Sequence, residues 1–383
     1  MGGLSDRVFG ALVAKARGRG GTVYPLHVGD TYLDPLPAAR AEAQRAEQHS
    51  RLHNYAPVQG EPALLDAIVE RLARRPGVDV DREDIQVVAG ATSGFNVVSQ
   101  VLLDPGDEVL LLAPFWPLIR GIVACRGATP IEVPFFDRLD DAHFDAERAI
   151  EAAITPRTVA IYVNTPHNPT GRALDDAVVS AIARVAKRHD LWVLADEAYE
   201  EIWFGSAPPR PIWVRADLAE RTIAVHTLSK GYGLAGARVG FVHGPRAVMP
   251  SVRSVQTFLT YCAPRPMQLG AARALREGDA WLAEARALYA EAGRRAAATL
   301  GVRAPDGGTF LFFDASPWLA PDEPLLAFLE RCLDAGVLLT PGSASGRDYA
   351  RWARLCFTAV PPDELDRALE RLGAVLGDTD SRS

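Results

Sequence analysis

Three features of the 383-residue chain predict an α/β fold with a large, mostly parallel, doubly wound sheet and a smaller α+β domain. From about residue 85, short β-branched runs alternate with longer amphipathic stretches, the rhythm of a sheet covered by helices on both faces. An Ala/Arg/Glu-rich stretch at 279–300 has Gly293 as its only breaker and reads as a connecting helix. Beyond it the order changes to strand, helix, strand, strand, helix.

Taken in order, the strand candidates of the large domain are 85–89, 108–113, 129–133, 158–163, 191–195, 222–227 and 237–243, short runs of β-branched and other apolar residues. Helix candidates at 93–103, 117–126, 142–153 and 173–188 fill the intervals. Only the loop Lys230 to Gly236 separates the last two strands, too little for a crossover, so one of them runs antiparallel to its neighbour. After the connecting helix come strand 309–313, helix 323–335, strands 337–340 and 354–358, and helix 362–376. The expected division is an N-terminal segment 1–45 packing with the small domain, a large domain 46–280 and a small domain 281–383, with 377–383 a frayed tail.

Composition narrows the partners. With 48% hydrophobic and 23% charged residues, the chain has the make-up of an ordinary soluble globular protein. A net charge of −7, with no basic run interleaved with aromatics, argues against nucleic acid and for a small molecule. Cys125, Cys262, Cys332 and Cys356 are scattered, without Cys-x-x-Cys or paired His spacing, so neither a disulfide framework nor a metal site is expected. The apolar run 109–119 is broken by Pro114 and Pro117 and is too short to span a membrane. The run 8–14 is shorter than a signal-peptide core. The expectation is a cytoplasmic protein with no membrane contact.

Lys230 carries the first chemical signal. The chain has three lysines, Lys15, Lys187 and Lys230, against 38 arginines. The first two lie on Ala/Arg-rich helical faces, whereas Lys230 follows a strand, between Ser229 and Gly231. Lysine can lose its proton and form a Schiff base; arginine can do neither. Ligands of open α/β sheets bind at the carboxyl ends of the strands, so the other strand ends matter too. They carry Gly90-Ala91-Thr92-Ser93-Gly94 at a helix start, Pro114-Phe115-Trp116, Asn164 to Gly171 with Asn168, Asp196-Glu-Ala-Tyr199, and Lys230 itself. One site would then combine a phosphate cradle, an aromatic plate, an amide, a carboxylate, a phenol and an amine.

Singly these signals are weak. Gly90 to Gly94 is more often a plain helix cap, Trp116 is more often core, and Asp196 alone could cap a helix. Gly231-Tyr-Gly-Leu-Ala-Gly236 matches a dinucleotide fingerprint literally but runs into a strand, so that reading is discounted.

The ordered set resembles the fold-type I, pyridoxal-phosphate-dependent aminotransferases of class I/II, the aspartate aminotransferase superfamily. The resemblance rests on Asn168-Pro-Thr-Gly171, Asp196-x-x-Tyr199, Thr227-x-Ser229-Lys230, and Arg238 eight residues on. It extends upstream to Val28-Gly29-Asp30 and Asn54-Tyr55-x-Pro-x-x-Gly60-x-Pro62, and downstream to Arg354-Leu-Cys-Phe, nearly the whole chain. The resemblance implies that Lys230 holds pyridoxal 5'-phosphate as an internal aldimine and then shuttles the proton at the substrate α-carbon. Asp196 would pair with the pyridine N–H, while Tyr199 and Asn168 would bond the ring's phenolic oxygen. Trp116, with Phe115 as second choice, would stack on the ring. Ala91 and Thr92 backbone N–H groups, the Thr227 and Ser229 hydroxyls and Arg238 would hold the phosphate. Arg354 would take the substrate carboxylate, with Gly29 in the substrate loop. Tyr55 would reach the phosphate of a neighbouring subunit, which implies a homodimer with composite sites.

Four positions depart from the family pattern and bear on the substrate: Thr31 for proline, Ala237 for tryptophan, Ser345 for an aromatic, and an unexpected Arg265. Dicarboxylate specialists of the family carry a second arginine, and none stands at the aligned place, near Thr257, so a neutral or aromatic amino donor with a 2-oxo acid acceptor is expected, with Arg265 keeping an acidic side chain open. A lyase performing β-elimination or cyclisation is the alternative. A non-catalytic regulatory module is more remote, because the stretch before Gly29 is expected to be too short for a DNA-binding segment.

Overall fold

The computed structural model describes residues 7–377 and contains two sheets. The strands of the larger are β1 (Ile85–Val88), β2 (Glu108–Ala113), β3 (Thr129–Pro134), β4 (Thr158–Asn164), β5 (Trp192–Asp196), β6 (Thr222–Thr227) and β7 (Gly240–His243), in spatial order β1-β7-β6-β5-β4-β2-β3. All neighbours pair in parallel except at β7, which runs antiparallel to both β6 and β1. The smaller sheet is antiparallel throughout, order β8-β10-β9, with β8 Phe310–Asp314, β9 Thr340–Pro341 and β10 Trp352–Cys356.

Interior strands of the large sheet are covered on both faces, which is why they read as continuous apolar runs. β2, Glu-Val-Leu-Leu-Leu-Ala, is buried at every position. Its side chains still alternate between two cores. Leu110 and Leu112 join Ile161, Val163 and Val193 on one face; Val109 and Leu111 join Tyr162, Leu194 and Phe95 on the other. A third core lies between helix Asp279–Leu300 and the small sheet, and takes in Leu12, Tyr24 and Leu26 from the N-terminal stretch.

Several boundaries differ from expectation for identifiable reasons. Helices expected from 142 and 173 begin at Ala146 and Asp176, because Asp145 and Asp175 accept the Arg148 and Val178 backbone N–H groups as N-caps. The strand expected from 237 starts at Gly240, since Ala235–Ala237 is a 3-10 turn and Arg238 is left-handed at φ 53. The run 337–340 contributes only Thr340 to the small sheet; Val337 instead bridges Tyr24, whose backbone is held by Gly336 and Leu338. Helix Arg7–Gly18 carries the Lys15 face read as helical, while Pro62–Leu72, Met249–Leu259 and Arg265–Glu277 lie outside the expected helices. Most of the tail, 378–383, lies outside the described residues.

Candidate active site

The carboxyl ends of β4, β5 and β6 lie side by side, with Asn164 opposite Asp196 and Asp196 opposite Val225. The residues that follow these ends converge on one cavity of about 300 Å³. Gly29, Ala91, Thr92, Trp116, Asn168, Asp196, Tyr199, Thr227, Ser229, Lys230, Arg238 and Arg354 all line it, which is every expected site residue except Tyr55.

One corner is built to hold an anion. Helix Ala91–Leu102 starts after Gly90, and its first internal bond is made by the Gly94 N–H, so the preceding amides face outward. Arg238 adopts φ 53, ψ 52, a costly conformation for a non-glycine residue, and anchors its guanidinium to the Ala235 and Ala89 carbonyls at 2.9 and 3.2 Å. The Thr227 and Ser229 hydroxyls meet at 2.8 Å. None of these groups is a carboxylate, so the corner suits a phosphate.

The amine and the acid stand beyond it. Lys230 is mostly buried, which lowers its pKa, and its ammonium donates to the Gly29 carbonyl and lies 3.8 Å from Asp30. Asp196 is 4% exposed, and burial pushes its carboxyl up to about 6. Its Oδ1 accepts the Ala198 N–H at 3.0 Å and its Oδ2 accepts the Tyr162 hydroxyl. Asn168 donates to the Tyr199 hydroxyl at 3.3 Å. Burial raises the Tyr199 phenol pKa, so that group keeps its proton.

Arg354 projects from β10 into the same cavity. It donates to Asn168 Oδ1 and the His27 carbonyl, both at 3.1 Å, with its guanidinium 4.3 Å from the Phe310 ring centroid. Its Nε is buried with no hydrogen-bond partner among the described residues. Gly29 is there because a side chain would not fit: a Cβ would come 2.7 Å from the Phe310 ring.

Trp116 lines the cavity with Phe95 behind it, 6.2 Å between ring centroids. Phe115, the second choice for the stacking position, is fully buried under the Arg120 guanidinium and outside the cavity. Tyr55 is 82% exposed and packs against Tyr261, beside a separate cavity that Arg265 also lines. Arg265 is committed to Glu61 at 2.6 Å and to the Ser50 and Arg51 carbonyls. Sequence reasoning missed Leu118, Ala198, Ala235 and Phe310 along the cavity, and Tyr162 behind Asp196. Leu118 and Ala235 lie two and three residues from recognised positions; Phe310 and Tyr162 lay inside predicted strands, where alternation did not tell which face matters.

The comparisons with known proteins agree with this chemistry. The family model for aminotransferase class I and II matches residues 22–372. The aspartate/prephenate aminotransferase of Thermus thermophilus is 33% identical, the match covering 98% of this chain and 100% of the relative. The arginine–pyruvate transaminase of Pseudomonas aeruginosa is 34% identical over 88% of this chain and 86% of its own. Among solved structures, the N-succinyldiaminopimelate aminotransferase of Mycobacterium tuberculosis superposes with a TM-score of 0.87 at 32% identity, covering 96% of this chain and 97% of that one. A cavity that joins a buried amine, a buried carboxylate and a phosphate-type cradle fits pyridoxal phosphate, and the chain belongs to the class I and II aminotransferases, as a pyridoxal-phosphate-dependent transaminase.

Proposed function

We propose that this chain transfers the amino group of a neutral amino acid to a 2-oxo acid, with Lys230 as the cofactor's attachment point and proton carrier. The observation that carries this reading is the meeting of Lys230, Asp196 and the carboxylate-free anion corner in one cavity. When bound, the cofactor supplies an electron-accepting ring that stabilises negative charge at the substrate α-carbon. The Ala91 and Thr92 amides, Thr227, Ser229 and Arg238 would hold its phosphate, and Trp116 would lie against its ring. Asp196 would hold the ring N–H, and Asn168 and Tyr199 the ring's phenolic oxygen. Lys230, its pKa lowered by burial, would reach its neutral, nucleophilic form more readily and move the proton at the α-carbon. Arg354 would hold the α-carboxylate, its fork suited to two parallel hydrogen bonds, with Gly29 lining the same cavity.

Two observations support a neutral side chain. Trp116, Leu118, Ala235 and Phe310 make part of the cavity wall apolar. Arg265, the reason to keep an acidic donor open, is consumed by Glu61 and two carbonyls. The relatives are named for different substrates, so no single one transfers. A panel of amino donors with pyruvate or 2-oxoglutarate tests the reading: a neutral or aromatic donor is expected to lead, and aspartate leading would overturn it. Pyruvate and ammonia released without an acceptor acid would mark a lyase instead.

We also propose a homodimer. Tyr55, Phe258, Leu259 and Tyr261 are exposed together, Phe258 at 85%, an apolar patch of the kind that a partner covers. Tyr55 would thereby enter the partner's site. The division into 1–45, 46–280 and 281–383 is supported by the separate core around the small sheet, which includes Leu12, Tyr24 and Leu26. The cytoplasm is proposed on four separated cysteines, all unpaired; among the described residues no helix is long and apolar enough to cross a membrane.

A further inference from the structure

We propose that Tyr162 is a positioning residue for Asp196: its hydroxyl, donated to Oδ2, keeps that carboxylate ionised and oriented, and so sets how tightly the protein holds the cofactor's ring nitrogen. The inference rests on reading Asp196 as the partner of that nitrogen.

The sheet explains how a residue in mid-strand reaches the site. Tyr162 on β4 stands opposite Leu194 on β5, so Asp196 is one same-face step further along the neighbouring strand. A long aromatic side chain spans that diagonal. The ring is held by Phe95, 5.5 Å away and edge-on, which in turn backs Trp116. Tyr162 is 2% exposed, and its hydroxyl donates to Asp196.

Few other groups can hold Asp196 in its charged form. Oδ1 has the Ala198 amide, and Oδ2 has Tyr162. The neighbouring ionisable groups are Glu197, Tyr199 and Glu200 from the turn after β5, His226 from β6, Lys230 and Arg238 beyond it, and Arg354 from β10. Helix Ala91–Leu102, packed on the same face, has no ionisable side chain. His226 is engaged by Glu200 at 2.5 Å, and Glu197 is driven toward its neutral form by burial. Burial together with the Asp196 charge raises the Tyr162 pKa far above the ordinary phenol value, so it stays a donor. Without this bond, the carboxylate that burial has already pushed up to about 6 would rise further.

The test uses the full-length protein and the affinity for pyridoxal phosphate, measured by spectrophotometric titration across the acid and neutral range. Tyr162→Phe keeps the shape and removes one hydrogen bond to a charged acceptor, so affinity near neutral pH is expected to fall about 10- to 100-fold. The midpoint of its pH dependence is expected to move up by about one to two pH units. Fluorotyrosine at position 162, a stronger donor of nearly the same size, should move the midpoint down. In an Asp196→Asn background the Tyr162→Phe change should have no further effect. Unchanged affinity and midpoint in Tyr162→Phe, no response to fluorotyrosine, or an equal loss in the Asn background would each overturn the proposal. Wild-type affinity in Asp196→Asn alone would overturn the underlying reading of Asp196; a weak Asp196→Asn with a silent Tyr162→Phe would remove only the inference.

Discussion

Asp196 shows how the site balances burial against function. Its carboxyl is pushed up from an ordinary 3.8 to about 6, chiefly by burial. A raised carboxyl pKa means that the folded chain holds the proton more tightly than the unfolded one. That contribution to stability is complete below pH 3.8 and is lost as the pH rises through about 6. The displacement corresponds to roughly 3 kcal/mol. At neutral pH the cofactor-free protein therefore carries a destabilising charge that a cationic ring would relieve. Asp196→Asn is accordingly expected to raise the neutral-pH melting temperature of the cofactor-free protein by a few degrees while weakening cofactor binding. Calorimetry with and without pyridoxal phosphate checks this, and a lower melting point without cofactor would refute the burial argument. Most residues of the cavity were legible in the sequence because they stand just past strand ends, where an α/β sheet presents its chemistry. Tyr162 was not, because it lies inside a buried strand and its hydroxyl acts along the sheet, which no periodicity reports.

At the scale of elements, the anion corner depends on how helix Ala91–Leu102 begins. Gly90 sits at φ 82, and a Cβ there would come 2.7 Å from Arg238 Nη2. Gly90→Ala thus combines a backbone strain of about 1–3 kcal/mol at this positive φ with displacement of the Arg238 guanidinium from the proposed cradle. The expected result is a lower melting temperature together with about tenfold weaker pyridoxal phosphate binding, since 1.4 kcal/mol corresponds to a factor of ten. An unchanged dissociation constant would show that Arg238 does not act at this corner. The strands of the large sheet were legible because burial on both faces makes them short, continuous apolar runs. Helices Pro62–Leu72 and Arg265–Glu277 carried usable signals, a proline in the first turn of each and Leu64, Leu65, Ile68 and Leu72 at helical spacing in the former. The short β9 could not be foreseen, because Val337 pairs with Tyr24, more than 300 residues away in sequence.

For the whole molecule, the proposed dimer would link assembly to the site through exposed Phe258 and the exposed Tyr55 and Tyr261, whose rings pack together. Phe258→Asp places a charge at the centre of the proposed interface and is expected to give a monomer by light scattering, with weaker cofactor binding because the partner's Tyr55 is lost. A dimer of unchanged affinity would relocate the interface. Lys230 is the proposed attachment point of the cofactor, and the chain offers an unusually clean test because Lys15 and Lys187 are its only other lysines. The cofactor-loaded protein should be reduced with borohydride, digested and mapped by mass spectrometry. The predicted result is a single phosphopyridoxyl modification on the peptide containing Lys230, with none on Lys15 or Lys187 and none in Lys230→Ala. A stable modification at either other lysine with Lys230 unmodified, or transaminase activity surviving in Lys230→Ala, would contradict it.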